Sequence, residues 1–479
     1  MRAIKTTTTL IVLLFGGSAK TETLHVPGEY PTISLAIEAS QNGDTVLVAP
    51  GRYEENVDIQ GKQITLTSSH GPYETFILGH IVIAGFADTT GCTIQGFTQI
   101  GQDRDPFAGK PGIKIYSGKP IIIGNILRDN IFNSLGGGIS VYQSSAIANH
   151  NIIENNWGVG FGGGLYIEAI YETEVSHNLI RNNMTGYGFP WHGMGGGIAA
   201  DGANIYRNLI YNNVSWAINS PDGAGKGGGA VLYGTQSRPT TYFYNNTVVK
   251  NYAHGGGGIE DGAGVFVWVN PNGNVILENN IIAFNYEGGG LYYCPWSAAP
   301  MIERYNLFFG NQDFNIIAPE TSITDIFADP MFVDTALDDY HLLPGSPCID
   351  AGNPDSPLDP DSTRVDIGAL FFDQTTAIDE KTESSPYKFE LFQNYPNPFN
   401  GQTNISYYLQ KSSNVSLTIF DITGAIVSRL VNNEHQLSGE HKYVWQGLDI
   451  NGNPVSTAIY FYQLEVDGSK IVKSMILLK

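Results

Sequence analysis

The chain is poor in cysteine, in basic residues and in long apolar runs, and each shortage excludes a class of protein. Only three cysteines occur among 479 residues, and they lie too far apart for a disulfide framework or a CxxC metal site. Lys and Arg number 25 against 46 Asp and Glu, so the net charge is −21 and no nucleic-acid partner is expected. No apolar run reaches the ~20 residues that a membrane helix requires, so no transmembrane segment is predicted.

Two short segments mark the limits of the folded part. A basic start, a short apolar core and small residues up to Ala19 predict a signal peptide over residues 1–19, and therefore export to the periplasm. Residues 373–386 are polar and small, which is typical of a linker. The linker separates a body rich in Gly and Asn from a tail of different composition, so we predict two folded domains.

Glycine, in contrast, is abundant, and much of it belongs to an internal repeat. Seven segments fit the pattern Asn-x-Φ-x-x-Asn, where Φ is apolar, and they begin at Asn125, Asn151, Asn178, Asn208, Asn246, Asn280 and Asn306. Their spacing of about 26 to 38 residues is typical of solenoids. Gly runs followed by a short β stretch, such as GGGISVY and GGGLYIE, lie between them. We expect Asn and Gly to turn the chain at corners, with Asn amides bonded from coil to coil.

These units predict an all-β fold, a parallel β-helix over residues 20–345. Each unit holds at least two short stretches rich in β-branched and aromatic residues, too short for ordinary helices. The alternative is a leucine-rich repeat, although no LxxLxL unit with a helix occurs. One amphipathic helix is predicted over Thr32–Ser40, where it would cover the open end of the first coil.

The segment YPTISLAIEASQNGDTVLVAPGRYEEN resembles the opening of secreted right-handed β-helix proteins of the pectin lyase-like superfamily. The resemblance extends over roughly residues 24–345 and implies right-handed coils. Because that superfamily includes lyases, hydrolases, esterases and non-catalytic binders, the resemblance implies an architecture and no particular activity.

Alternation along the strands after the Gly runs predicts which side chains point outward. The first and third positions, such as Ile139 and Val141, are apolar and should point inward. The second and fourth positions then form two outward columns: Ser140, Tyr166, Ala199, Val231, Phe266 and Tyr292, and Tyr142, Glu168, Asp201, Tyr233, Trp268 and Cys294. In the fifth of these coils, Glu260 and Asp261 could occupy the face in place of Phe266 and Trp268.

Aromatic rings stack on sugars, and carboxylates accept hydrogen bonds from sugar hydroxyls, so this face predicts a polysaccharide-binding surface. The predicted binding residues are Tyr142, Tyr166, Tyr233, Trp268 and, in a long insertion, Trp191. Other insertions carry Trp216 and His254, and insertions on consecutive coils would wall a cleft.

Glu168 and Asp201 are the sharpest candidates for catalysis. In adjacent coils their carboxyl groups would lie ~5 Å apart, which suits a raised pKa, a shared metal or a retaining glycosidase pair. His192 is the candidate acid or base near neutral pH. The alternatives are solvated carboxylates and a structural histidine. The chain has no clear counterpart of the calcium site and catalytic arginine of pectate lyases, or of the paired-Asp motif of polygalacturonases.

Residues 346–372 form an acidic closing segment after the last coil. Asp355, Asp359 and Asp361 are candidate ligands for Ca²⁺, which prefers carboxylate and carbonyl oxygens, and no other cofactor is predicted. The spacing is not that of an EF-hand and prolines interrupt it, so a closing segment without metal is the alternative.

Residues 387–479 hold several predicted strands separated by turns, as in a small antiparallel, Ig-like sandwich. The strings FELFQNYPNPFN, VSLTIFDITGAIV, WQGLDINGNPVSTAIYFYQL and KIVKSMILLK resemble the C-terminal sorting domain of the Bacteroidota type IX secretion system. That resemblance implies recognition by the outer-membrane translocon, followed by release or surface attachment. An Ig-like carbohydrate-binding module is the alternative.

We therefore expect a secreted or cell-surface β-helix that binds polysaccharide. A polysaccharide lyase or glycoside hydrolase is one alternative, and a structural or adhesive rod is another. Glu168 and Asp201 side by side, next to His192 or an arginine, would favour catalysis. Side chains spread along a flat face would favour binding or adhesion.

Overall fold

The computed structural model describes residues 21–374 and 389–477, except residues 88–89, 103–108, 133–134, 187–192, 218–224, 255–261, 295–296, 298, 392–393, 395–398, 400, 410, 422–424 and 467–468. The predicted signal peptide and most of the predicted linker lie outside the described residues. Within them, no helix is both long and apolar enough to cross a membrane.

The one α-helix of the described residues, Ile33–Ala39, packs against the first coil through Ile33, Ala36 and Ile37, which are buried. Thr32 is its N-cap and accepts a hydrogen bond from a backbone N–H of the first turn. The Glu55 carboxylate accepts two more N–H groups there, each at 2.9 Å, and Lys62 Nζ donates to carbonyls at the other end. Charges of these signs suit the two ends of the helix dipole. The predicted helix over Thr32–Ser40 is confirmed to within one residue at each end.

Parallel strands stacked coil upon coil form the body, and the largest sheet has two bands. The first band follows the Gly runs and comprises Val57–Asp58, Ile81–Ile83, Ile113–Ile115, Ile139–Ser144, Leu165–Ser176, Ile198–Tyr206, Ala230–Gly234, Val265–Val269, Leu291–Tyr293 and Ile316–Ile317. The second band comprises Thr23–Val26, Thr45–Val48, Thr65–Ser68, Thr93–Gln95, Ile121–Ile123, Ile147–Asn149, Thr241–Tyr244, Val275–Glu278 and Ile302–Arg304. The two longest strands of this sheet, Leu165–Ser176 and Ile198–Tyr206, extend through both bands.

Two further parallel sheets complete the body, one of ten strands and one of five. The second sheet comprises Gly51–Tyr53, Thr75–Leu78, Thr98–Ile100, Ile126–Arg128, Ile152–Glu154, Leu179–Arg181, Leu209–Tyr211, Thr247–Val249, Ile281–Ala283 and Leu307–Phe309. The third sheet comprises Ile131–Phe132, Trp157–Gly158, Met184–Thr185, Val214–Trp216 and Tyr252–His254. The parallel β-helix is therefore confirmed, and the leucine-rich repeat is excluded.

The interior follows the predicted alternation. Ile139, Leu165, Ile198 and Ala230 stand in register on successive coils and are fully buried. The apolar residues three positions before the repeat asparagines are buried as well: Ile122, Val175, Ile205, Phe243 and Leu277. A single apolar core therefore runs through the described coils.

The asparagines of the repeat form two buried ladders. In the first ladder, Asn151 Nδ2 lies 3.0 Å from Asn178 Oδ1, and the same contact recurs on each coil from Asn125 to Asn306. The second ladder joins the last asparagine of each repeat in the same way, from Asn130 to Asn311. Each amide also bonds backbone groups of neighbouring coils, for example the Ile122 carbonyl. The prediction of bonded Asn amides is confirmed.

Each residue just before a ladder asparagine has a positive φ, and His150, Asn155, His177 and Asn182 are among them. Several of these residues are Asn or Gly, as expected of the corners, and others, such as His150, are not. Gly162 also has positive φ, and a Cβ there would lie 2.0 Å from the Leu165 carbonyl oxygen. Gly163, the next residue of the run, has no room for a side chain. A Cβ added there would lie 2.4 Å from the Gly196 carbonyl oxygen of the next coil. Close stacking of the coils therefore requires these glycines.

The closing segment lies along the outer face of the second sheet. Cys348 and Ile367 join Tyr211, Val249 and Ile281 of that sheet in a buried apolar cluster, together with the hairpin Phe332–Asp334 and Asp339–Leu342. Arg207 on the β-helix pairs with the buried Asp359 at 2.6 Å. The segment covers an apolar outer face that water would otherwise reach.

The tail is an antiparallel sandwich of seven described strands. One sheet comprises Phe389–Leu391, Thr403–Leu409 and Gly439–Trp445, and the other comprises Ile426–Gln436, Ser413–Phe420, Ala458–Val466 and Ser469–Leu477. Tyr407 and Trp445 of the first sheet share one apolar core with Leu417, Tyr462 and Met475 of the second. The predicted sandwich is confirmed.

Candidate functional site

Glu168 and Asp201 are direct register partners in neighbouring parallel strands. Tyr142 stands opposite Glu168 on the preceding coil, and Tyr233 stands opposite Asp201 on the following one. Neighbouring strands lie ~4.8 Å apart, so the two carboxyl-bearing side chains leave the sheet side by side. The predicted adjacency of the two carboxylates is present.

Glu168 is held by two donors. Arg238 Nη2 forms a close ion pair with its Oε1, and the Tyr166 hydroxyl donates to its Oε2 at 2.9 Å. Arg238 also donates from Nη1 to the Ala169 carbonyl at 3.3 Å, which fixes the guanidinium against the strand. The side chains of Arg238 and Glu168 are 13% and 22% exposed, so the pair is shielded from bulk water and still faces the cleft.

Asp201 differs from Glu168 in its partners. Its Oδ2 accepts from the Thr235 hydroxyl at 2.7 Å. Its Oδ1 is buried and, in the described part of the chain, has no hydrogen-bond partner. Burial raises the pKa of Asp201, and the neighbouring Glu168 carboxylate adds to the shift, while Thr235 and Arg238 oppose it. The two carboxyl groups therefore have different electrostatic environments.

These side chains form the floor of an open cleft of about 790 Å³. Its aromatic lining comes from Phe161, Tyr166 and Tyr233, and its far wall is the segment 235–238 with Asn270 and Pro271. The Phe161 ring lies edge-on to Tyr166, with centroids 6.3 Å apart. Burial raises the pKa of the Tyr166 hydroxyl, and its hydrogen bond to Glu168 adds to the shift, so Tyr166 is a hydrogen-bond donor at neutral pH.

The rest of the outward face is more enclosed than we predicted. In the second-position column, Ser140, Ala199, Val231, Phe266 and Tyr292 are all buried. Phe266 and Trp268 occupy the ambiguous coil in register with Val231 and Tyr233, which settles the choice left open above. Trp268 is half-buried against the cluster of Val231, Phe266, Tyr292 and Cys294. Isolated β-bridges join three residues that each come just before a Gly run, on successive coils beside this column: Phe161, Met194 and Lys226.

The other predicted binding residues fall in different places. Tyr142 is exposed one coil before Glu168, and the Tyr233 hydroxyl lies 2.9 Å from Met194 Sδ. Trp191 and His192 lie outside the described residues, as do Glu260 and Asp261. The structure therefore brings Tyr166, Glu168, Asp201 and Tyr233 into one cleft.

The aspartates of the closing segment bond the protein itself. Asp359 pairs with Arg207 and accepts the Asp366 N–H, and Asp361 accepts N–H groups from Thr363 and Gln374. The Asp355 N–H donates to a neighbouring side chain, Asn353. Among the residues that the structure describes, no group of three or more His, Cys, Asp or Glu side chains is placed to hold a metal ion. The candidate Ca²⁺ site of Asp355, Asp359 and Asp361 gains no support from this geometry.

Sequence reasoning missed Arg238 and Thr235. Both lie in the short connection between Ala230–Gly234 and Thr241–Tyr244, a segment that belongs to neither repeat. Arg238 reaches back 70 positions along the chain to Glu168. The only available signal was that this connection, TQSRPT, is longer than its counterparts on the preceding coils.

Comparison with known proteins agrees with the two-part architecture. Residues 80–268 match the family model described as right handed beta helix region, and residues 393–478 match the one described as secretion system C-terminal sorting domain. The chain carries a right-handed β-helix region and a type IX sorting domain. The sorting domain implies interaction with the secretion machinery and indicates export, followed by secretion or attachment to the cell surface. No curated protein matches the chain.

Solved structures resemble parts of the chain, all at low identity. Dimeric latent PorU from Porphyromonas gingivalis is 20% identical over 19% of this chain and 9% of that chain, with a TM-score of 0.17. PorZ, a surface component of the type IX secretion system of the same organism, is 20% identical over 19% and 11%, with a TM-score of 0.15. The PL6 family alginate lyase AlyGC is 14% identical over 72% of this chain and 58% of that chain, with a TM-score of 0.23. This chain thus spans a small part of the first two and just over half of the third, and the low TM-scores give no information about the site.

Proposed function

We propose that this exported β-helix binds a polysaccharide in the cleft above Glu168 and Asp201. The observation that carries the proposal is the combination of aromatic walls with a shielded floor of charged and hydroxyl groups in a cleft of about 790 Å³. Clefts of this volume suit ligands of several rings. Aromatic faces stack on sugar rings, and the floor supplies hydrogen-bonding groups for hydroxyls.

The charge of the cleft favours a neutral glycan. Among the described residues that line the cleft, Arg238 is the one cation, and it is paired with Glu168. Asp201 is also present in the lining, and the whole chain carries a charge of −21, so a polyanion would meet repulsion on approach. A chain of neutral pyranoses avoids that repulsion and offers many hydroxyl donors to the carboxylates.

The test is a titration of the purified protein with soluble hexasaccharides, neutral (cellohexaose, xylohexaose, mannohexaose) and acidic (hexagalacturonate, hexamannuronate). We expect at least one neutral hexasaccharide to bind at least about tenfold more tightly than either acidic one. Tighter binding of the acidic set would contradict the charge argument. No binding of any hexasaccharide would contradict the proposed function.

Hydrolysis of the bound glycan is the second candidate function. It is supported by the unequal environments of the two carboxyl groups and by Arg238 beside them, the arrangement that we expected to favour catalysis. Asp201 has a raised pKa, as a proton donor to a leaving oxygen requires, while Glu168 is bonded by Arg238 and Tyr166. The assay measures release of reducing ends and of unsaturated products from the same glycans. Release of reducing ends without unsaturated products, lost in Glu168→Gln and in Asp201→Asn, would support hydrolysis. Unsaturated products would instead indicate elimination by a lyase. Binding without product, retained in both variants, would restrict the cleft to binding.

A further inference from the structure

A second cluster of aromatic and titratable side chains lies on the outer face of the third sheet. Trp216 and His254 are register partners on neighbouring coils, with ring centroids 4.3 Å apart. The Tyr252 ring lies nearly parallel to that of His254 at 5.7 Å, and Trp216 and Tyr252 are 6.4 Å apart. Tyr286 continues the column of Tyr252 on the following coil. The rings of Trp216, His254 and Tyr252 form a continuous aromatic surface across two coils.

Polar groups edge this aromatic surface. His254 Nδ1 lies 2.8 Å from Glu287 Oε2, and the Tyr252 hydroxyl lies 3.1 Å from the same nitrogen. With Nδ1 directed at Glu287, Nε2 is the other polar atom of the His254 ring. The hydrogen bonds from His254 and Tyr252 lower the pKa of Glu287, so at neutral pH its carboxylate is available as an acceptor.

The cluster is accessible, unlike two other aromatic clusters on the outer faces of the β-helix. Phe266 and Tyr292 on the first sheet are buried, and Tyr211 on the second sheet is buried under the closing segment. On the third sheet, the side chains of His254 and Glu287 are 39% and 46% exposed, and Tyr286 is 44% exposed. Trp216 and Tyr252 are half-buried. Burial in the folded protein accounts for the aromatic rings of the first two clusters. It does not account for the exposed side chains on the third sheet.

We infer that the Trp216, Tyr252, His254 and Glu287 cluster is a second sugar-binding site, which takes a neutral pyranose ring of a glycan chain. The ring stacks on the Trp216 and Tyr252 surface, and its hydroxyls form hydrogen bonds with Glu287 and His254. The Glu287 carboxylate of this cluster disfavours an acidic sugar. The site is on another sheet than the cleft and uses none of its residues, so it does not depend on the proposed function.

The test uses the full chain and the same neutral and acidic hexasaccharides. We expect Trp216→Ala to weaken binding of a neutral hexasaccharide at this site by about tenfold, and Trp216→Tyr to retain most of it because a stacking ring remains. Trp157→Ala is the matched control, since Trp157 is a half-buried tryptophan of the same sheet two coils away, and its loss should change affinity less than about twofold. Glu287→Gln should weaken binding with little change in Tm, which separates a ligand contact from a structural role.

The outcomes separate this site from the cleft. Neutral-glycan binding that depends on Trp216 but survives Arg238→Ala supports the second site, even if the cleft binds nothing. Equal losses in Trp216→Ala and Trp157→Ala would show a structural effect and overturn the inference. The inference would also be overturned if Trp216→Ala changed the affinity for none of the hexasaccharides. It would be overturned as well if Trp216→Ala weakened binding of the acidic hexasaccharides alone.

Discussion

The asparagine ladders and the cleft stand on the same coils, but only the ladders repeat from coil to coil. The first ladder has asparagine at seven successive corners, with amide contacts of 2.9 to 3.2 Å at every step. At the cleft, one register position holds Tyr142, Glu168, Asp201, Tyr233 and Trp268 in turn. The backbone pairing is equally regular in both regions. Side chains that stack the coils must repeat, whereas outward positions can differ between coils and can form a site.

The largest loss of stability is expected from a substitution in the second asparagine ladder. Asn183 makes two donor and two acceptor hydrogen bonds, all at 2.8 to 3.0 Å and all buried. Asn183→Ala should lower the free energy of unfolding by about 3 kcal/mol or more, because several buried polar groups lose their partners. Denaturant unfolding measures the loss. The control is Asn204→Ala, since the Asn204 side chain bonds Glu172 at an exposed position, and its cost should stay within about 0.5 kcal/mol. Similar losses in both variants would contradict the role given to the ladder.

A smaller effect on stability is expected in the cleft. Glu168→Gln removes the charge opposite Arg238, and because this pair retains some exposure, we expect a loss of about 1–2 kcal/mol. The same unfolding experiment measures it. A loss as large as that of Asn183→Ala would mean that the Glu168–Arg238 pair is mainly structural, and the distinction between the two regions would fail.

The first ladder ends at its C-terminal side with an aspartate, because Asp325 occupies the position after Asn306. Asp325 Oδ1 accepts the Asn306 N–H at 2.9 Å, as each ladder asparagine does for its predecessor. Its Oδ2 is buried without a hydrogen-bond partner in the described part of the chain. By the pattern of the ladder, an amide nitrogen at that position would donate to the Glu303 carbonyl. Burial and the nearby Glu303 carboxyl raise the pKa of Asp325.

This geometry predicts a pH-dependent gain from Asp325→Asn. A carboxyl whose pKa is raised by folding contributes stability below its unfolded pKa of ~3.9, and that stability is lost as the pH rises through the folded pKa. The asparagine variant should therefore be more stable by about 1–2 kcal/mol at pH 8, with little gain at pH 4. Thermal unfolding across this pH range is the measurement. Asp339→Asn, at an exposed position, is the control, and a gain independent of pH would contradict the account.

The smallest effect concerns the other end of the β-helix. Glu55→Gln keeps an acceptor for the N–H groups of Ile33 and Ser34 but removes the charge at the start of the helix. We expect a loss of about 0.5–1 kcal/mol, which high salt should reduce. Unfolding at low and high salt measures both. A loss of several kcal/mol would show that this helix stabilises the coils as strongly as the ladder does.

Much of this architecture was predictable because the repeat is written into the sequence. The Asn-x-Φ-x-x-Asn pattern predicts both the strands of the second sheet and the ladders, since each coil must satisfy the same buried backbone groups. Counting alternate positions after the Gly runs places Glu168 beside Asp201 correctly. Arg238 could not be predicted, because its position depends on how a non-repeating connection folds back over the strand. The alternation of inward and outward side chains also did not predict that Val231 and Phe266 would be buried. It indicates which side chains leave the coil but not whether other side chains pack over them.

The central claim, that the cleft is the glycan-binding site of this β-helix, is tested most directly by one titration. Wild-type protein, Arg238→Ala and Arg304→Ala are each titrated with the neutral hexasaccharide that binds most tightly. Arg304 is the matched control, since it forms a similar ion pair with Glu278 away from the cleft. The account predicts that Arg238→Ala weakens the cleft binding by at least about tenfold and that Arg304→Ala leaves it unchanged. Equal affinity in all three proteins would contradict it.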